Sequence, residues 1–235
     1  MIDYSVRELP LFPLPDVVLF PQQLLPLHIF ESRYRMMLQT VLESDKRFGV
    51  VRVDPETREM AEIGCCAEVL QHQTTEDGRS YIVTLGQQRF RVLNVTREAP
   101  FRSAMVSWLE DDQVSHHEGL NDLRDTVRDA LKDVVTLTSK LQGREVTLPE
   151  DLPDLPRELS FWIGAHLDHN AASEQQALLE LTDTFERLQR QFDMLDNTRR
   201  QLAARTVLKD TFANVDGRDS RDGRDSRDGQ DNRDS

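Results

Sequence analysis

Short runs of Val, Ile, Leu and Phe alternate with polar turn residues from Leu9 to about Asp112. Residues 24–29, 48–53, 67–72, 81–85, 89–95 and 103–109 read as strands, separated by Asp54-Pro55, Glu76-Asp77-Gly78 and Ala99-Pro100. The Asp77-Gly78 pair predicts a tight hairpin whose flanking runs pair antiparallel. One helix interrupts the strands. Residues 31–43 set Tyr34, Met37, Leu38, Val41 and Leu42 on one face at three-and-four spacing. Five of the ten prolines precede His28, so the N-terminal segment is expected to be stiff, edge-like or irregular rather than a central strand.

After Asp112 the period lengthens to that of a helix. Leu120, Leu123, Val127, Leu131, Val134, Thr138 and Leu141 predict a helix of about six turns. Gly143, Pro149, Pro153 and Pro156 end it and fill a connector. Leu159, Ile163 and Leu167 then mark a shorter helix from near Pro156. Ser173 followed by Gln176 reads as a capping box opening a long final helix. Leu178, Leu181, Phe185, Leu188, Phe192, Leu195 and Leu202 follow a near-heptad step along it. These helices are expected to bury one another's stripes in an intramolecular bundle; a dimer through the final helix is the alternative. The expected organisation is α+β: a β region over residues 1–112, a helical bundle over 113–212 and a tail over 213–235.

The tail repeats Asp-Gly-Arg-Asp-Ser-Arg from Asp216 and degrades by Gln230, with no hydrophobic residue after Val215. It can bury nothing and is expected to be disordered. Its Asp spacing fits neither the EF-hand loop nor the nonapeptide calcium repeat.

Charge narrows the partners. The chain of 235 residues carries a formal −13, of which residues 1–112 hold −5, residues 113–215 hold −6 and the tail −2. Acidity spread over both folded parts disfavours nucleic acid and anionic membranes, which need cationic surface. Only two cysteines occur, Cys65 and Cys66, and adjacent positions do not suit a disulfide. No apolar run approaches the ~20 residues that span a bilayer. A reducing cytoplasm is the expected setting.

Catalytic signatures are absent from the sequence. No glycine is followed by lysine, which removes a P-loop, and no G-x-S-x-G elbow occurs. Ser139-Lys140 is the one adjacent Ser–Lys pair, and consecutive helix positions point apart. His116-His117 and His166-x-Asp168-His169 offer metal-like spacing without a third ligand. Cys65-Cys66 reads as a buried apolar pair rather than a reactive thiol. No cofactor or metal is implied.

One N-terminal block is dense in motif residues: Leu9-Pro10-Leu11-Phe12-Pro13-Leu14, Val17-Val18-Leu19-Phe20-Pro21, then Leu25-Pro26-Leu27-His28-Ile29-Phe30-Glu31 and Arg33-Tyr34. This block resembles the N-terminal substrate-binding domain of Lon proteases. Phe48-Gly49-Val50-Val51, Ile63-Gly64-Cys65, Asp77-Gly78-Arg79 and Gly86-x-x-Arg89-Phe90-Arg91 continue the resemblance, and Gln176-Ala177-Leu178-Leu179-Glu180 and Glu186-Arg187-Leu188 extend it to about Leu208.

The resemblance implies a PUA-like β pseudo-barrel with one helix, followed by a helical bundle. Neither the ATPase nor the Ser–Lys protease motifs of full Lon enzymes are present, so the chain is expected to act as a standalone, non-catalytic module. That module would bind unfolded or degron-bearing polypeptides or adapt them to a protease or chaperone; RNA binding through the PUA-like barrel is the alternative.

Phe20, Pro21, Pro26, His28, Phe30, Glu31, Arg33, Tyr34, Gly86, Arg89 and Phe90 are the candidate binding or fold-motif residues. Among them, Glu31 is expected to favour the N-terminus of the first helix and to pair with Arg33 or Arg89. Gly86 is expected to sit in a turn with positive φ.

Overall fold

The computed structural model describes residues 6–112, 118–150, 152–167 and 171–219. In chain order it contains β1 (Val6–Pro15), β2 (Leu24–Ile29), α1 (Ser32–Leu42), β3 (Arg47–Val53), β4 (Ile63–Thr74), β5 (Ser80–Arg97) and β6 (Ser103–Leu109). The helices α2 (Leu120–Gln142), α3 (Pro156–Ala165), α4 (Ala172–Glu180) and α5 (Thr184–Asp219) follow. His116, His117, Asp168, His169 and residues 220–235 of the expected disordered tail lie outside the described residues. The backbone of α5 continues past the expected tail boundary at residue 213 to Asp219.

The strands run in the order β2-β5-β4-β3-β1-β6, and an additional β5–β6 pairing closes five of them into a ring. β5 makes this possible by its length. Its residues 80–85 pair with β2 and its residues 89–97 pair with β6, while β4 takes its other side. The two runs read as separate strands, 81–85 and 89–95, are one strand interrupted by a bulge. The predicted hairpin is present, with Gly78 at φ 77° and its N–H bonded to the Thr75 carbonyl at 2.9 Å.

The proline-rich segment corrects the expectation of an edge. β1 lies between β3 and β6 in the strand order. It changes partner midway: residues 6–10 pair with β6, and residues 11–15 pair with β3. The Leu11 N–H donates to the Arg102 carbonyl at 2.8 Å, on the side away from β3. By strand alternation Pro13 and Pro15 face that same side, and Pro10 faces the opposite one, where its half has no partner. Each half of β1 is thus an edge locally, so the missing prolyl donors break no ladder. Pro26 lies on β2, which pairs with β5 alone.

The chain forms two compact units. One comprises residues up to Arg124 together with 151–191; the other comprises Asp125–Glu150 and the chain from Phe192 onward. In the first unit, α1 packs Tyr34, Met37, Leu38 and Val41 against Phe12, Phe48, Val50 and Cys65. A second cluster joins Leu9, Leu11, Val51, Cys66, Phe90 and Val106. A third places Phe161 of α3 and Leu178 and Leu179 of α4 against Val18, Phe20 and Ile63. Full burial of each such side chain contributes about 1.5–3 kcal/mol. α3 and α4 therefore belong with the barrel, not with the helical bundle expected over residues 113–212.

In the second unit α2 and α5 run in the same direction. Arg199 pairs with Asp133 at 3.2 Å, and further along both helices Lys209 Nζ donates to the Lys140 and Leu141 carbonyls at 3.3 and 3.0 Å. A cation at the C-terminal end of α2 also complements its dipole.

The long final helix predicted from Ser173 is two helices, α4 and α5. Ser173 caps nothing; α4 has Ala171 at its N-cap without a side-chain bond, and the Ser173 hydroxyl accepts from Arg52 at 3.2 Å. The break at Leu181–Asp183 has a specific cause. Asp183 Oδ1 accepts the Phe185 and Glu186 N–H groups at 2.7 and 3.4 Å, starting α5. The carbonyls freed at the end of α4 are taken by two buried arginines, described below.

Candidate functional site

α3 opens on Pro156, which fits the first helical turn, and buries Leu159, Phe161 and Ile163. Trp162 and His166 lie one turn apart, off that buried stripe. Their rings stack with centroids 4.0 Å apart, and His166 Nδ1 lies 2.8 Å from the Trp162 carbonyl oxygen. The segment leading into β2 is fixed beside this helix. Gln23 Oε1 accepts the Phe20 N–H at 2.9 Å, and Gln23 Nε2 donates to the Ala165 carbonyl at 3.5 Å.

The same segment is pinned to β5. The Gln22 N–H donates to the Gly86 carbonyl at 2.7 Å, and the Gly86 N–H donates to the Gln23 carbonyl at 2.8 Å. Gly86 does not have the expected positive φ; it lies within β5. Glycine is required there because a β-carbon would collide with the Phe20 carbonyl.

Between this segment and α3 opens a groove of about 790 Å³, lined among others by Pro21, Leu24, Gln88, Trp162 and Leu167. That volume matches ligand-binding clefts. Its charged lining residues are Arg157 and Glu158 of α3, one of each sign, with His166 beside them. The helix side thus sets Phe161, Trp162, Ala165 and Leu167 beside those polar groups, and the strand side sets four amides beside Pro21 and Leu24.

Behind the groove wall lies a buried ionic cluster. Arg89 of β5 and Arg187 of α5 both bond to Asp111, which also accepts from the Thr184 hydroxyl at 2.6 Å. Arg89 Nη1 donates to the Leu179 and Leu181 carbonyls at 2.5 and 2.7 Å, and Arg187 Nη1 donates to the Leu181 carbonyl at 2.6 Å. Arg187 Nε reaches the Ser160 hydroxyl at 2.8 Å. Both guanidiniums face the Phe161 ring, at 5.1 and 4.2 Å from its centroid. Burial pushes Arg89 down to about 10, against the pull of Asp111, and pushes Arg187 down as well. This cluster caps the end of α4 and holds α3 against the barrel.

The sequence-predicted residues separate into three places. Phe20, Tyr34, Gly86, Arg89 and Phe90 are buried; of these only Arg89 carries charge. Pro21 lines the groove. Pro26, His28, Phe30, Glu31 and Arg33 are exposed on and just after β2. There His28 stacks on Tyr81 at 4.4 Å and lies 5.6 Å from Phe30, forming a surface aromatic group. Glu31 occupies the N-cap of α1 and pairs with Arg33 at 2.8 Å, in the open rather than buried; Arg89 pairs with Asp111 instead.

Trp162, Leu24, Gln22, Gln87 and Gln88 were not signalled by any motif. The available signal was Trp162, a large aromatic standing off the Leu159–Ile163 stripe of a short helix. Cys65 and Cys66 are free and buried, and burial raises both thiols, Cys66 to about 12. Among the described residues no group of three or more His, Cys, Asp or Glu side chains is placed to hold a metal. No described helix is long and apolar enough to cross a membrane.

Comparison with known proteins converges on one family. The family model for the ATP-dependent protease La (LON) substrate-binding domain matches residues 8–197. Lon protease 2 of Myxococcus xanthus is 26% identical over 199 residues, covering 82% of this chain and 24% of its own. Lon protease of Escherichia coli K12 is 26% identical over 196 residues, covering 81% and 25%. The chain thus spans about a quarter of the length of these curated relatives.

Two solved structures share the fold. A Lon N-terminal domain protein from Xanthomonas campestris superposes with TM-score 0.54 at 23% identity, covering 78% of this chain and 96% of that one. The N-terminal domain of the Mycobacterium avium complex Lon protease gives TM-score 0.61 at 16% identity, covering 81% and 98%. With the match running from β1 into α5, the chain belongs to the Lon substrate-binding domain family.

Proposed function

We propose that this chain is a cytoplasmic polypeptide-recognition module that takes unfolded or degron-bearing segments into the α3 groove and presents them to a protease or chaperone. The observation that carries the reading is the groove itself: an open cleft with aromatic and aliphatic lining residues beside amides, on a domain of the substrate-binding family. Trp162, Leu24 and Leu167 supply surface for large apolar side chains, which are exposed in unfolded chains and hidden in folded ones. The module contributes binding and orientation only. The charge of −13 weighs against the RNA alternative.

The test is photo-crosslinking from position 162 to a permanently unfolded client such as reduced, carboxymethylated lactalbumin. Crosslinks from position 162, with none to the native client, support the reading. Absence of crosslinks from intact folded protein overturns it.

A further inference from the structure

Three amides line the strand side of the groove, Gln22 and Gln88 exposed and Gln87 half-buried. The side chains of Gln22, Gln87 and Gln88 have no hydrogen-bond partner among the described residues, although all three line the cleft. Gln23, the fourth amide there, is occupied by the Phe20 N–H and the Ala165 carbonyl.

The backbone explains why Gln87 and Gln88 are available. The β2 ladder ends on β5 at Leu85, and the β6 ladder begins at Arg89. The β4 ladder passes from Gly86 to Arg89 across a register shift. Gln87 and Gln88 therefore have no paired residue in any of the three ladders. They form a two-residue notch in the barrel wall, and the notch opens into the groove. Bulges of this kind leave residues unpaired and re-aim side chains, and both residues line the cleft.

We infer that the groove reads the main chain of an extended polypeptide from another protein through the amides of Gln22, Gln87 and Gln88, while the Trp162 wall takes its apolar side chains. This rests on the reading of the groove as a polypeptide site and says what that site recognises. A primary amide carries two donors and an acceptor, so it can meet both the N–H and the C=O of a passing peptide unit. Main-chain contacts are the same for every residue, so the site tolerates many sequences. The balanced charge of Arg157 and Glu158 matches an uncharged segment and offers nothing to a strongly charged one.

The experiment titrates the full chain with an uncharged peptide of about ten residues rich in Leu and Phe. Its partner has the same side chains but ester links replacing alternate amides, which deletes N–H donors and keeps the shape. The indole N–H signals are followed by NMR, with Trp162→Phe used to assign them and separate them from Trp108.

The expected result is a shifted Trp162 signal with both ligands and about tenfold weaker affinity for the ester form. In Gln87→Leu/Gln88→Leu that ratio should fall toward one. Equal affinity of the two ligands for the unaltered chain overturns main-chain reading and leaves the polypeptide site standing. No shift of Trp162 with either ligand removes the polypeptide site, and this inference with it.

Discussion

The carboxylate of Asp111, just after β6, accepts the buried guanidinium of Arg187, 76 residues later in the chain. Arg89 shares that carboxylate, so one buried anion serves two buried cations. Replacing Asp111 by Ala leaves both guanidiniums uncompensated and should cost about 3–5 kcal/mol. Arg187→Met keeps the Arg89–Asp111 pair and should cost less. Urea unfolding monitored by circular dichroism gives both values, and an Asp111→Ala loss below that of Arg187→Met would contradict the assignment.

Gly86 tolerates no β-carbon because the Phe20 carbonyl lies against it. Gly86→Ala should destabilise by roughly 1–3 kcal/mol through displacement of the segment before β2. Crosslinking from position 162 should weaken in the same variant, since that segment forms one side of the groove.

Buried thiols make the protein sensitive to alkali. Cys66 rises from 9.0 to about 12 on folding, so above pH 9 the unfolded chain loses this proton first and is favoured. Cys65 and Tyr34 are raised by burial too and act in the same direction. Arg89, lowered from 12.5 to about 10, acts oppositely, but only above pH 10. Between pH 9 and 10 the urea midpoint should therefore fall, with each raised thiol contributing up to about 1.4 kcal/mol per pH unit. Cys66→Ala should flatten that slope. Neither thiol should react with a disulfide reagent at pH 8 until the protein is unfolded.

Two aromatic sites, the half-buried Trp162 and the exposed His28–Phe30–Tyr81 group, can be told apart by mutation. Trp162→Ala should lower affinity for an unfolded client about tenfold with little change in the urea midpoint, since the ring lies off the buried face of α3. Phe30→Ser, in the His28–Tyr81 group, should leave client affinity within about twofold. The reverse ranking in a fluorescence-anisotropy titration would move recognition from the groove to the β2 surface.

Much of the barrel was legible because strands are rich in Val, Ile, Leu and Phe between turn residues, and a half-buried one such as residues 24–29 alternates in exposure. β1 was not, since its prolines signal an edge and nothing local reveals a strand that is two edges end to end. The α4–α5 break was hidden for a similar reason. Leu181, Thr182 and Asp183 contain neither Gly nor Pro; Asp183 caps α5 locally, but the freed carbonyls of α4 are met by Arg89, 92 residues before Leu181, and by Arg187. At the site, the motif residues proved mainly to be scaffold: Phe20, Gly86 and Arg89 build the groove from behind. Its lining escaped notice because Gln22, Gln87 and Gln88 take their meaning from ladders that stop short of them.

The divided pairing of β1 also sets an order of events at the ribosome. Its first half is partnered only by β6, with Val6 opposite Ser107 and Leu9 opposite Ala104. The nascent chain must therefore carry that half, Leu9 included, without its strand partner until the last strand has emerged, about a hundred residues on. Contacts this distant in sequence close slowly. The first strand to leave the ribosome is thus among the last to be fully paired, and the barrel closes only once Ser107 has been made.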